Sequence, residues 1–396
     1  MGSTMLSNRV QAIKSSPTMS LVARAAELKA AGQDIISLGA GEPDFDTPGH
    51  IKEAAKKALD EGFTRYTPVD GIPSLKQAIA FKFARDNDLE YSLDQILVSC
   101  GGKHALFNLT QALLNPGDEV IVPSPYWVSY PDIVLLAGAK PVFVNTDVET
   151  GFKLTPSMIE KAITPKTRLI IFNSPSNPSG VCYGRDELAA LGDVLRKHPG
   201  IMIATDDIYE HIVWGEEPFC NILMACPDLY GRTVILHGVS KSYAMTGWRI
   251  GYAAGPREII QAMKKVQSQS TSNPTSFAQV GAETALAGDQ GFIRDMVQIF
   301  KGRHNFVVAD LNSFRGVRCL PAQGAFYVFP DMRRVIDALE GVENDIAFAE
   351  YLIEKTGVVL VPGSAFGAPG FMRLSIATSE RDLHLGLERI AKVVGT

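Results

Sequence analysis

Through the middle of the chain, short apolar runs alternate with amphipathic stretches, and this alternation restricts the fold more than any other feature. Residues 95–98, 119–122, 141–145, 168–172, 201–205, 233–236 and 249–253 read as strands. Residues 105–114, 128–137, 185–197 and 257–268 carry helical periodicity between them. Strands that alternate with helices build a mostly parallel sheet covered on both faces, an α/β fold. Ligands of such sheets bind beyond the carboxyl ends of the strands. Gly101-Gly102, Asn177, Asp206 and Lys241 each follow one of these runs, so the residues of chemical interest gather at one edge.

From about residue 292 the pattern changes. A long helical stretch, 292–314, leads into strands over 324–329, 358–361 and 371–377 and a closing helix over 380–394. This reads as a second, smaller α/β domain. The expected division is an N-terminal segment, 1–47, packing with a small domain, 291–396, around a large domain, 48–290.

With 396 residues, 46% of them hydrophobic, the chain can build two substantial cores. A net charge of -5 without a basic run argues against nucleic acid as a partner. No apolar stretch approaches a membrane span, and no signal-peptide core is present, so neither membrane nor export is expected. Met1-Gly2-Ser3-Thr4 ahead of Met5 reads as a cloning remnant. Five widely spaced cysteines without C-x-x-C fit reduced thiols in the cytoplasm. The seven histidines lack ligand spacing, so no metal site is expected.

The stretch from Gly238 to Arg249 concentrates the chemistry. Lys241 stands just past a strand end, with Arg249 eight residues on. A buried lysine can form a Schiff base with an aldehyde, and an arginine fork suits a phosphate. Pyridoxal 5'-phosphate carries both groups. Gly101-Gly102, between a strand and a helix starting near Lys103, suits a phosphate cradle, although taken in isolation an ordinary strand-to-helix turn is the favoured reading. Asp206 at a strand end suits a protonated pyridine nitrogen, and Tyr209, three residues on, a ring oxygen; a turn cap is the alternative. Asn177 sits in a segment stiffened by Pro175 and Pro178, and Trp127 offers a flat indole. Gly238-Val239-Ser240-Lys241-Ser242 misses the hydrolase elbow by its last glycine, and Gly101-Gly102-Lys103-His104 lacks the rest of a P-loop.

Four ordered segments carry a resemblance. They are Gly41-Glu42-Pro43-Asp44-Phe45-Asp46-Thr47-Pro48, Ser124-Pro125-Tyr126-Trp127-Val128-Ser129-Tyr130-Pro131, Asn173 to Gly180, and Ser240 to Gly251. Together the chain resembles the class I aminotransferases of PLP fold type I, in the bacterial aspartate aminotransferase branch, from about Val10 to the C-terminus. The resemblance implies a seven-stranded, mostly parallel large-domain sheet and pyridoxal 5'-phosphate as cofactor. It makes Lys241 the Schiff-base lysine and proton carrier, Asp206 the pyridinium partner, and Asn177 and Tyr209 the neighbours of the ring oxygen. Trp127 would face the ring, and Gly101, Gly102 and Arg249 would bind phosphate, with Lys103 next to them. Tyr66 would reach the phosphate from the other subunit of a homodimer. Arg373 would clamp the substrate α-carboxylate with the backbone of Gly41, and Lys103 would take the distal carboxylate. Lys14 matches a lysine linked to prephenate use, and residues around it would form a lid.

One departure concerns the position three residues before the lysine, where many relatives have a hydroxyl and this chain has Gly238. Another is the missing arginine near 267–274, the region that supplies a distal-carboxylate arginine in better-known relatives. The implied reaction is a ping-pong amino transfer between aspartate and 2-oxoglutarate. Amino transfer to prephenate or aromatic keto acids is the alternative, followed by C–S lyase chemistry. A non-catalytic regulator would need an appended DNA-binding domain, for which the chain has no room.

Overall fold

The computed structural model describes residues 5–13 and 17–395, the side chains of 17–22 excepted. The strands in chain order are β1 (Ile36–Ser37), β2 (Ile96–Ser99), β3 (Glu119–Ser124), β4 (Lys140–Asn145), β5 (Thr167–Asn173), β6 (Met202–Asp206), β7 (Thr233–Gly238), β8 (Gly251–Ala254), β9 (Tyr327–Val328), β10 (Val358–Val359), β11 (Val361–Pro362) and β12 (Met372–Ser375). Seven of them form one sheet in the order β2-β8-β7-β6-β5-β3-β4. Within it β8 alone runs against its neighbours.

Side chains alternate strictly between the two faces of this sheet, as the period of a strand requires. Ile121, Ile170, Phe172, Ile203, Ile235 and Tyr252 join one buried cluster. Val120, Val122, Leu169, Ile171, Ala204, Val234, Leu236 and Ala253 join the cluster on the opposite face. Both faces are therefore covered, which is why the strands read as near-continuous apolar runs. The helices Gly102–Leu113 and Arg257–Ser268 cover the second face, with Ala105, Leu109, Ile260 and Met263 turned into it.

A three-stranded antiparallel sheet, β11-β12-β9, and a parallel pair, β1-β10, lie in the C-terminal third and at the N-terminal segment. The pairing of Ile36 with Val358 ties the N-terminal segment to that lobe. Arg303, on the helix Gly291–Ser313, reaches Asp44 across 2.8 Å and reinforces the tie.

Three expected strands differ. The run 249–253 starts only at Gly251, because Arg249 takes a left-handed conformation, φ 56°, with its guanidinium donating to the Thr246 and Cys100 carbonyls. The run 324–329 narrows to Tyr327–Val328, since Ala325 has φ 60° and cannot continue a ladder. The run 358–361 splits at Leu360, where the chain passes from the β1 pairing to the β12 pairing.

Candidate active site

The carboxyl ends of β2, β3, β5, β6 and β7 point the same way, and the antiparallel β8 brings its first residue to that edge. Gly251 pairs with Ser99 on one side and Gly238 on the other. A cavity of about 360 Å³ opens there, lined by Gly41, Gly102, Lys103, Trp127, Asn177, Asp206, Tyr209, Lys241, Arg249 and Arg373.

Lys241 lies in the turn after β7, and its Nζ donates to the Gly41 carbonyl. Burial pushes the ammonium down to about 8, with the Arg373 cation adding to the effect, Glu42 opposing it and Arg249 assisting. Gly238 explains the missing hydroxyl. A Cβ there would stand 3.0 Å from both the Gly251 Cα and the Ile250 carbonyl, so β8 occupies the space a serine would need.

Asp206 ends β6 beside Asn173, which ends β5. Burial pushes its carboxyl up to about 6, opposed by a 2.6 Å hydrogen bond from Tyr130 Oη and a weaker one from the Ile208 amide. Asn173 donates to the Asp206 carbonyl at 2.9 Å and accepts the Asn177 amide at 2.8 Å, so one side chain sets both neighbours. Tyr209 Oη meets Tyr327 Oη at 3.0 Å. Arg373, on β12, donates to Asn177 Oδ1 and to the Gly39 carbonyl, while its Nε has no partner. Its guanidinium lies over the rings of Tyr327 and Phe366.

The glycine turn is built for close approach. Gly101 has φ 93°, and a Cβ there would stand 2.3 Å from Arg249 Nη2. A Cβ on Gly251 would stand 2.3 Å from the Gly101 carbonyl carbon and the Gly102 amide nitrogen. The guanidinium thus rests against the first turn of the helix Gly102–Leu113, whose leading amides have no carbonyl a turn earlier. This is an anion cradle that side chains would fill. Lys103 Nζ sits 5.1 Å from the Trp127 ring centroid, and its ammonium is held below the usual lysine range by desolvation and by Arg249.

The structure therefore gathers every nominated residue except two. Tyr66 is 91% exposed on a separate hollow beside Phe63 and Thr67, away from this chain's cavity. Lys14 lies outside the described residues. Tyr130, Asn173 and Tyr327 were not nominated. The first two fall inside the quoted motifs but make their contacts through strand register, which spacing along the chain does not reveal.

Two larger hollows exist, of about 690 and 710 Å³. On the first, Lys153 is paired with Glu187. Asp86, Glu210 and His211 come close enough to hold a cation, but Arg85 and Lys82 already neutralise the carboxylates. The five cysteines are free thiols. Among the described residues, no helix is long and apolar enough to cross a membrane.

A depressed amine, a buried carboxylate, a flat indole and a glycine-and-guanidinium cradle in one cavity fit the aldehyde, pyridine nitrogen, ring face and phosphate of pyridoxal 5'-phosphate. The sequence profile described as aminotransferase class I and II matches residues 33–390. An aspartate/prephenate aminotransferase of Nitrosomonas europaea is 58% identical, with 98% of this chain and 99% of that one covered. An aspartate aminotransferase of Geobacillus stearothermophilus is 50% identical, with 97% and 98% covered. The solved Thermus thermophilus aspartate aminotransferase with maleate superposes with a TM-score of 0.93 at 44% identity, covering 98% of this chain and all of that one.

Proposed function

Since the chain belongs to the aminotransferase class I and II family, we propose that it moves an amino group between L-aspartate and 2-oxoglutarate, giving oxaloacetate and L-glutamate, in a ping-pong reaction. The carrying observation is that Lys241, Asp206 and Arg373 line one cavity although they lie on or just after three separate strands, drawn from both sheets. Bound pyridoxal 5'-phosphate supplies the aldehyde that takes up the amino group and the ring that accepts electron density.

The chain's own residues have separable tasks. Arg249, the Gly101-Gly102 turn and the helix amides hold phosphate. Asp206 holds a proton on the pyridine nitrogen; Tyr130 keeps that carboxylate aimed, and Asn173 fixes the Asp206 backbone. Trp127 covers the ring, and Asn177 and Tyr209 face the ring oxygen. Arg373 clamps the α-carboxylate. Lys103 lines the same cavity as a further cation, which supports a dicarboxylate substrate. Lys241, with its amine pushed down to about 8, takes the α-proton and returns it, as base and then acid.

The assignment also includes a homodimer. The exposure of Tyr66, away from this chain's own cavity, supports its serving the partner's phosphate site. A cytoplasmic location agrees with the free thiols. The separate sheets and the β1-β10 pairing support the division at 1–47, 48–290 and 291–396. Prephenate as a second amino acceptor is favoured by the name of the Nitrosomonas relative.

Borohydride reduction of the native protein followed by peptide mass spectrometry is expected to find the cofactor on Lys241. Attachment elsewhere, or none, overturns the assignment. Initial rates with aspartate, phenylalanine and prephenate then rank the substrates.

A further inference from the structure

Tyr327 touches both lobes of the site. It is wholly buried on β9 of the three-stranded sheet. Its hydroxyl lies 3.0 Å from that of Tyr209, which comes from the turn after β6 in the large sheet. Its ring lies beneath Arg373, with the guanidinium carbon 4.5 Å from the centroid. Gly41, whose carbonyl holds Lys241, faces the same hydroxyl: a Cβ at Gly41 would stand 3.6 Å away.

Two phenols in contact carry two protons but share one hydrogen bond, so one proton points elsewhere. Both residues line the cavity, which is the open space toward which that proton can turn. Which phenol donates is decided by the charges around the pair. Arg373 acts on both, Glu42 on Tyr327 and Asp206 on Tyr209. The cation lies directly over the Tyr327 ring and makes its hydroxyl the stronger donor, whereas Asp206 disfavours loss of the Tyr209 proton and makes that hydroxyl the weaker one. A head-to-tail chain, Tyr327 to Tyr209 to the cavity, polarises each member in turn.

We propose that Tyr327 is a positioning residue: it donates to Tyr209, turns the Tyr209 proton toward the ring oxygen of the cofactor, and thereby links that donor to the substrate clamp Arg373. This rests on the aminotransferase reading above. A weaker donor at Tyr209 leaves the ring oxygen more basic, so the pH midpoint of the bound cofactor's absorbance rises.

The test compares wild-type holoenzyme with Tyr327→Phe, Tyr209→Phe and the double variant. Tyr327→Phe keeps a ring under Arg373, so KM for aspartate stays within about twofold while kcat falls roughly threefold to tenfold, the loss of one buried hydrogen bond. Its absorbance midpoint rises by about half a pH unit. Tyr209→Phe raises the midpoint further, and the double variant matches Tyr209→Phe alone. Replacing Tyr327 by 3-fluorotyrosine, a more acidic phenol of nearly the same shape, lowers the midpoint and keeps the test alive if the Phe variant does not fold. An unmoved midpoint in both Tyr327 variants, or additive shifts in the double variant, overturns the proposal. Borohydride trapping on each variant separates the two failures: no label on Lys241 in the wild type sinks the aminotransferase reading, whereas label with an unmoved midpoint sinks only the role of Tyr327.

Discussion

Arg373 Nη1 lies 3.0 Å from Asn177 Oδ1, a contact that joins the small antiparallel sheet to the loop after β5 of the large one. The two residues are 196 positions apart, and both are buried. A guanidinium in this position has already lost most of its water, and its Nε has no protein acceptor. It is prepared for a carboxylate that offers two oxygens in one plane.

Arg373→Lys keeps the charge and loses the fork. Giving up one charge-assisted hydrogen bond to the substrate carboxylate costs about 1.5–3 kcal/mol. The expected result is a fall in kcat/KM for aspartate of roughly tenfold to a hundredfold, with the absorbance of bound cofactor retained. Steady-state kinetics and a spectrum decide it. A loss below tenfold would mean that another cation binds the α-carboxylate.

On the proposed assignment, capture of pyridoxal 5'-phosphate by cofactor-free protein uses the neutral amine of Lys241. Because burial and Arg373 hold that amine down at about 8, the capture rate should climb about tenfold per pH unit below 8 and level off above it. Stopped-flow absorbance measures this directly. A plateau reached only near the ordinary lysine value would show that the amine is solvated.

Asp206 is held up at about 6 from an ordinary 3.8. Its folded form binds a proton more tightly than its unfolded form. The stability it contributes is thus fully present below about 3.8 and is lost as pH rises through 6. In cofactor-free protein, Asp206→Asn should therefore stabilise at pH 8, by about 3 kcal/mol at most, and make no difference near pH 4. Turnover should nonetheless disappear. Urea titrations at the two pH values, beside an activity assay, test both halves; destabilisation at pH 8 would contradict the account.

Gly251→Ala drives a methyl group into the Gly101-Gly102 peptide. Something in the backbone must shift, at a cost of about 1–3 kcal/mol, and the phosphate cradle shifts with it. Cofactor affinity is expected to fall at least about tenfold. Gly247→Ala, where nothing lies within 4 Å, is the control and should bind normally. Equal affinities for the two variants would remove the cradle argument.

Much was legible in the chain itself. The short, near-continuous apolar runs announced a sheet covered on both faces, since each strand must feed two cores at once, as Leu169 and Ile170 do. Lys241, Asp206 and the glycine pair were also visible, because each follows its strand directly and shares its edge. Tyr130, Asn173 and Tyr327 were not. Tyr130 meets Asp206 only because the helix Ser129–Leu136 lies over that strand end, and Asn173 does so only through the β5-β6 register. Tyr327 depends on the docking of one lobe against the other. Local pattern fixes which residues sit at a strand's end. Which ends become neighbours, and which hydroxyl reaches which carboxylate, is decided by long-range packing, where atoms over a hundred residues apart must come within 3.0 Å.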